Sequence, residues 1–230
     1  MSDDGEEIQL PPWSFSRVKS FEDCPKKYYH LKVAKDYQEP ETSAMAYGTE
    51  FHLAAEEYIR DGKPLPGKFS YAQRMLDKLN EMPGEKLCEY EMGLTEDLEP
   101  CGFKDDNVWW RGIADLIILD RETKSARVID YKTGKSAKYA DSGQLELMAL
   151  AMFKHFPELL EVKAGLLFVV SKEFVREKYA DFDSGWMWDK WLGKHARLKE
   201  AYRTGVWNAR PSGLCKQHCL ITECPHNGRN

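Results

Sequence analysis

Three segments, "LCEYEMGL", "VWWRGIADLIIL" and "ARVIDYK", follow one another with turn-prone residues between them, and each is rich in β-branched and aromatic residues. Runs of this texture pack well on a pleated surface, so the stretch predicts a three-stranded meander. "SGQLELMALAMFKHF" then returns to helical spacing, and "AGLLFVVS" is a continuous apolar strand, which permits a right-handed crossover between parallel neighbours. Ahead of the meander, Ser14 or Ser16 can cap a helix through "SRVKSFEDCPKKYYHLKV", in which Pro25 implies a kink or a second start. "SAMAYGTEFHLAAEEYIRDG" predicts a helix that stops at Gly62, "KFSYAQRMLDKLNEM" another, and "SGWMWDKWLGKHARLKEAYRTG" a late one. The order predicts an α/β chain with a central mixed β-sheet flanked by helices. At 230 residues and 42% hydrophobic content the chain can bury a real core, and its length favours one domain.

The N-terminal "MSDDGEEIQLPP" is acidic, and no run approaches the roughly 18 apolar residues of a membrane span, so a soluble, cytoplasmic protein with no membrane partner is expected. The net charge of -5 argues against coating a polyanion by bulk attraction. Any such site must be local. Arg17, Lys19, Lys26, Lys27, Lys32 and Lys35, interleaved with Phe15, Phe21, Tyr28 and Tyr29, form a candidate patch for DNA, although an ordinary solvated amphipathic helix has the same look. "KTGKSAK" lacks the spacing of a phosphate loop, which leaves nucleotide binding without support.

The chemistry concentrates in "VIDYKTGK". In a strand, residues two apart share a face, so Asp130 and Lys132 project together while Tyr131 turns away. Asp115 lies inside the apolar "GIADLIIL", where an ionised carboxylate costs several kcal/mol unless it is paired, hydrated or metal-bound. If the two strands are neighbours, Asp115 and Asp130 reach one cation, and hard oxygen ligands suit Mg²⁺ or Mn²⁺. Lys132 would then stand beside the metal, an arrangement fitted to phosphodiester hydrolysis. The structural alternative is an Asp–Lys ion pair closing a strand end. His52 and Glu56 are four apart on one helix face, where Glu56 or Glu57 could orient an imidazole that ligates the metal; a satisfied core histidine is the structural alternative. Glu91 is the candidate further ligand, and Glu89 shares its predicted strand face.

These segments in this order resemble the RecB-type branch of the PD-(D/E)XK nuclease superfamily, a group that includes CRISPR-associated and AddB-type iron-sulfur exonucleases. "FSRVKSFEDCPKKYYHLKV" is similar to the family's opening helix, "YGTEFHLAAEEY" to its histidine motif, "GIADLIIL" and "VIDYKTGK" to its two acidic motifs, and "GQLELMALAM" to the helix that follows. The resemblance implies a restriction-endonuclease-like core in which Asp115, Asp130, His52 and the backbone carbonyl of Tyr131 hold the metal. It also implies that Lys132 polarises the attacking water and that Gln144 contacts DNA or the lysine. Met148 stands where relatives carry a tyrosine, and Tyr139 is the candidate substitute.

Cys24 and the late trio Cys215, Cys219 and Cys224 supply the four thiols that a [4Fe-4S] cluster or a structural Zn²⁺ requires, with His218 or His226 able to replace one thiol at zinc. Relatives with a cluster join their chain ends through one early and three late cysteines. Cys88 and Cys101 read as small buried thiols. The expectation is a single nuclease domain: 1–12 flexible, 13–36 and 205–230 forming the cysteine staple, and 43–204 the catalytic core. The resemblance implies a DNA exonuclease acting on single- or double-stranded ends in recombination, repair or phage DNA processing in a bacterial or phage-infected cell, with a helicase or recombinase as a candidate partner. A structure-specific endonuclease and a non-catalytic module binding DNA ends or a partner are the rivals.

Overall fold

The computed structural model describes residues 10–229, so the expected flexible segment 1–12 lies, for residues 1–9, outside the described residues. Ser14 caps the first helix, α1 (Phe15–Asp23), by accepting the amide of Arg17 at 3.3 Å. Pro25 starts a new helix, α2 (Pro25–Tyr28), rather than kinking the first, because its missing N–H is no loss at an N-terminus. The chain continues through a π-helical turn, Tyr29–Val33. Thr42 caps α3 (Ser43–Asp61), which ends at Gly62 with φ 68°, the left-handed conformation a glycine C-cap favours. A 3₁₀ turn (Gly67–Ala72) leads into α4 (Gln73–Glu81). Strands β1 (Glu85–Leu94), β2 (Pro100–Cys101), β3 (Trp110–Asp120) and β4 (Ser125–Lys132) follow, then helix α5 (Gly143–His155), strands β5 (Glu161–Phe168) and β6 (Glu173–Ala180), and helix α6 (Ser184–Thr204).

The strands form a six-stranded sheet in the order β2-β1-β3-β4-β5-β6. β1, β3 and β4 are the expected meander, α5 carries the chain to β5 parallel to β4, and β6 returns antiparallel to β5. β6 was not expected: "EFVREKYA" mixes charges into both faces and lacks a clean apolar alternation, as suits an exposed edge. On one side of the sheet Leu116, Ile118, Ile129, Tyr131 and Leu167 pack with Phe51 of α3 and Leu76 of α4.

The chain divides into two compact units. One contains the residues up to Pro40 together with those from Asp189 onward, and the other is Glu41–Trp188. The expected cysteine staple falls in the first, and the sheet with its carboxylates in the second. Inside the first unit Trp207 stacks on Tyr28, with ring centroids 6.0 Å apart, and Glu22 accepts from Lys194 at 2.7 Å and Arg197 at 2.5 Å.

Candidate metal centre and cysteine site

The ladder between β3 and β4 ends at the pair Leu116↔Ile129. Asp115 and Asp130 are the next residues on each strand, so both carboxylates stand where the strands stop pairing. There a side chain replaces the ladder: the amide of Tyr131 donates to Oδ2 of Asp115 at 2.6 Å. Asp115 and Asp130 are both buried, 8% and 6% exposed, a condition that demands partners.

Asp130 has two. Its Oδ2 lies 2.6 Å from Nζ of Lys132, and its Oδ1 accepts from Nε2 of Gln144 at 2.5 Å. Gln144 closes the triangle by accepting from Lys132 through Oε1 at 3.2 Å. The strand-end Asp–Lys pair is therefore present, but as one edge of a connected set. Gln144 sits at the second residue of α5, where the first turn of the crossover helix meets the end of β4. It touches the lysine, one of the two roles the resemblance implied.

His52, on α3, reaches the same carboxylates from the other side. Its Nδ1 is 3.2 Å from Oδ1 of Asp115, and its Nε2 is 3.1 Å from the carbonyl of Tyr131. Both neighbours are acceptors, which favours the imidazolium, and a cation would bind His52 only after the ring gives up a proton. Burial disfavours that imidazolium, yet the hydrogen bond and charge of Asp115, with Asp130 and Glu89, outweigh it and raise the histidine's pKa. The expectation that Glu56 or Glu57 orients His52 is corrected: Glu56 pairs with Arg60, and Glu57 with Lys63 at 2.6 Å.

Glu89 joins His52 and Asp115. One ligand atom from each of these residues lies within 4.8 Å of the others. Glu91, the sequence candidate, is exposed and registers opposite Ile113. The substitution of one glutamate for the other has a backbone cause. Glu89 has φ 46°, the left-handed region, and the ladder runs through Cys88↔Leu116 and Tyr90↔Ala114 without a Glu89 pair. Across this point the alternation shifts: Cys88 packs against the core under α3 and α4, while the ring of Tyr90 lies 5.8 Å from Phe156 at the end of α5. Two residues apart no longer means one face. Strain of this kind concentrates at functional sites, and no sequence signal marks it beyond the choice between two glutamates.

Burial, then the charge of Asp115, push Glu89 up to about 7, and the same two causes push Asp130 up to about 6 against the pull of Lys132. Each carboxylate resists ionisation because it is buried and because Asp115 is negative beside it. A divalent cation would relieve that repulsion, and two carboxylates with one imidazole, beside Asp130, are a donor set that Mg²⁺ or Mn²⁺ accepts. The residues fit the ion.

Met148 is buried against Gly112, where its methyl group leaves no room for a Cβ, so the position is core packing. Tyr139 stands 86% exposed in the loop after Gly134, with Nζ of Lys138 5.2 Å from its ring. In the other unit, Arg17 is half-buried on α1, Lys27 pairs with Glu39 at 2.9 Å, and Lys26 and Lys27 border the cysteine site.

Cys24, Cys215, Cys219 and Cys224 line one small cavity with Lys26, Lys27, Arg210 and His226. Backbone amides point at the sulfurs: Lys27 and Arg210 donate to Cys24 at 3.5 and 3.4 Å, and Ser212 donates to Cys215 at 3.3 Å. Asn227 folds the tail around the site by donating to the carbonyls of Cys219 and Ile221 at 3.2 and 2.8 Å. Among the described residues no three of these thiols come within 4.8 Å of one another.

The sequence pattern of a family described as the PD-(D/E)XK nuclease superfamily matches residues 12–85 and 69–226. Among solved structures, one from Eubacterium rectale described as a "putative exonuclease" is 13% identical, with 94% of this chain and 88% of that chain covered and a TM-score of 0.50. Another, of a protein called SSO0001, is 16% identical over 96% of this chain and 90% of that chain, with a TM-score of 0.46. No curated protein matches.

Proposed function

Because the chain belongs to the PD-(D/E)XK nuclease superfamily, we propose that it is a metal-dependent deoxyribonuclease that removes nucleotides from DNA ends. The observation that carries this reading is the convergence of His52, Glu89, Asp115 and Asp130 at a strand fork beside Lys132. Restriction to ends draws its support from the resemblance of the motifs and from the like fold of the structure described as a "putative exonuclease".

His52, Glu89 and Asp115 would hold Mg²⁺ or Mn²⁺, with Asp130 and the Tyr131 carbonyl completing the oxygen-rich side. The ion supplies Lewis acidity at the scissile phosphate and lowers the pKa of water. Lys132 carries its ammonium to the reacting centre, where it orients the attacking water and balances charge that develops on phosphate oxygens. Gln144 positions Lys132 and Asp130 relative to each other through its two hydrogen bonds. Asp115, by accepting from the Tyr131 amide, fixes the backbone that presents the Tyr131 carbonyl.

The cysteine cavity is read as a [4Fe-4S] site. N–H groups aimed at sulfur suit cluster ligands, whose potential such bonds tune.

End-labelled linear DNA, single- and double-stranded, incubated with covalently closed circles in Mg²⁺, Mn²⁺ or EDTA tests the proposal. Metal-dependent loss of label from linear DNA, with circles intact, supports it. Nicking or cutting of circles replaces it with an endonuclease, and inertness of all substrates in both metals overturns it.

A further inference from the structure

On the side of the sheet that α3 and α4 cover at β3 and β4, the β5–β6 half is open. Side chains alternate along strands, so Arg127 and Ile129 of β4 share this side with Lys163, Gly165 and Leu167 of β5. Across the ladder to β6 their partners are Lys178, Arg176 and Phe174. A cleft of about 480 Å³ lies here, floored by Ile129 and Ala164 and walled by Leu79 and Met82 at the end of α4.

Two features distinguish this cleft. Arg127, Lys163 and Lys178 stand directly opposite one another on three consecutive strands. Like charges so placed destabilise a sheet, and a single carboxylate, Glu161, pairs with both lysines. With Arg176, four cations line the cleft against one carboxylate, Glu177, in a chain whose net charge is -5. The second feature is Phe174, which is 40% exposed although it projects from a sheet. Its ring lies over Gly165, where any Cβ would collide with it, and the guanidinium of Arg176 sits 5.4 Å from the ring centroid.

We propose that this cleft is a binding groove for single-stranded nucleic acid, separate from the metal centre. Cations spaced about 4.8 Å across strands and about 7 Å along them offer a track for phosphates, and the flat ring backed by Gly165 is a platform for a base, the combination by which proteins hold single strands. An extended acidic peptide would match the charges but leave the ring without a stacking partner. The groove lies on the sheet side opposite Asp130 and Lys132, which β4 projects the other way. It therefore adds a hold on the strand without entering the reaction.

Anisotropy of a fluorescent 20-residue oligothymidylate, measured in EDTA so that cleavage is silent, tests the groove whether or not the nuclease reading stands. The wild type is compared with Lys163→Ser/Arg176→Ser/Lys178→Ser and with Phe174→Leu, each shown by thermal melting to be folded. The triple variant should bind at least about 10-fold more weakly, with a salt slope smaller by about 2, since each phosphate contact contributes about 0.7. Phe174→Leu should weaken binding about 5-fold or more with the slope unchanged. Equal affinity and slope in wild type and triple variant overturn the proposal. So does failure of the wild type to bind the oligonucleotide while it binds a polyglutamate peptide that the triple variant releases, which would assign the groove to an acidic protein.

Discussion

Glu89 of β1 and His52 of α3 meet Asp115 and Asp130 at the end of β3 and β4, and the charge of Asp115 acts on the protonation of His52, Glu89 and Asp130. Glu89 has an ordinary value of 4.5 and is pushed up to about 7 in the fold. A raised carboxyl pKa stabilises the fold fully below the unfolded value and loses that contribution as pH climbs through the folded one. The metal-free protein should therefore lose stability between about pH 4.5 and 7, and urea midpoints of Glu89→Gln should fall less over that window. Unchanged slopes would mean that Glu89 is not under this strain. In Mn²⁺ titration calorimetry Glu89→Gln should lower affinity roughly 10- to 100-fold, while Glu91→Gln leaves it alone. The reverse ranking would restore the glutamate that strand periodicity favoured. Asp115, Asp130, Lys132, Gln144 and His52 were legible in the sequence because each is chemically out of place or stands in a recognisable order. Glu89 was not, since the choice between two glutamates turned on one left-handed backbone angle.

The helices and the meander could be read because their periodicity and stops are strong, as at Gly62. β6 could not, because an edge strand carries charges where a buried strand carries apolar residues. The partners of His52 were likewise beyond the sequence: Glu56 lies on the same helix, but Asp115 comes from a strand more than sixty residues away. The turn from α4 into β1 depends on Gly84, with φ 117° and space for a Cβ only 2.7 Å from the carbonyl oxygen of Leu119. Gly84→Ala should cost about 2 kcal/mol through strain and collision, measured by urea unfolding. A loss within about 0.3 kcal/mol would show that the turn relaxes freely.

In the whole chain, the cysteine cavity and the candidate metal centre belong to different compact units, and among the described residues no helix is long and apolar enough to cross a membrane. The sequence grouped 13–36 with 205–230 apart from 43–204, but the boundary at Asp189 was not visible in it, because α6 reads as one uninterrupted helix although its residues belong to both units. If the cysteine site holds a cluster, anaerobically purified protein should be brown and carry about four irons per chain. Cys219→Ser should lose that iron with Mn²⁺ affinity retained, whereas stoichiometric zinc in a colourless preparation would contradict the cluster. If phosphodiester cleavage occurs where Lys132 meets Asp130, 2.6 Å away, the rate depends on the lysine ammonium. Single-turnover cleavage of end-labelled DNA by Lys132→Ala in Mn²⁺ measures that dependence. Removal of the ammonium should slow cleavage by about 10²–10³-fold or more while DNA affinity stays within about 3-fold of wild type. Cleavage at the wild-type rate would place the reaction elsewhere in the molecule.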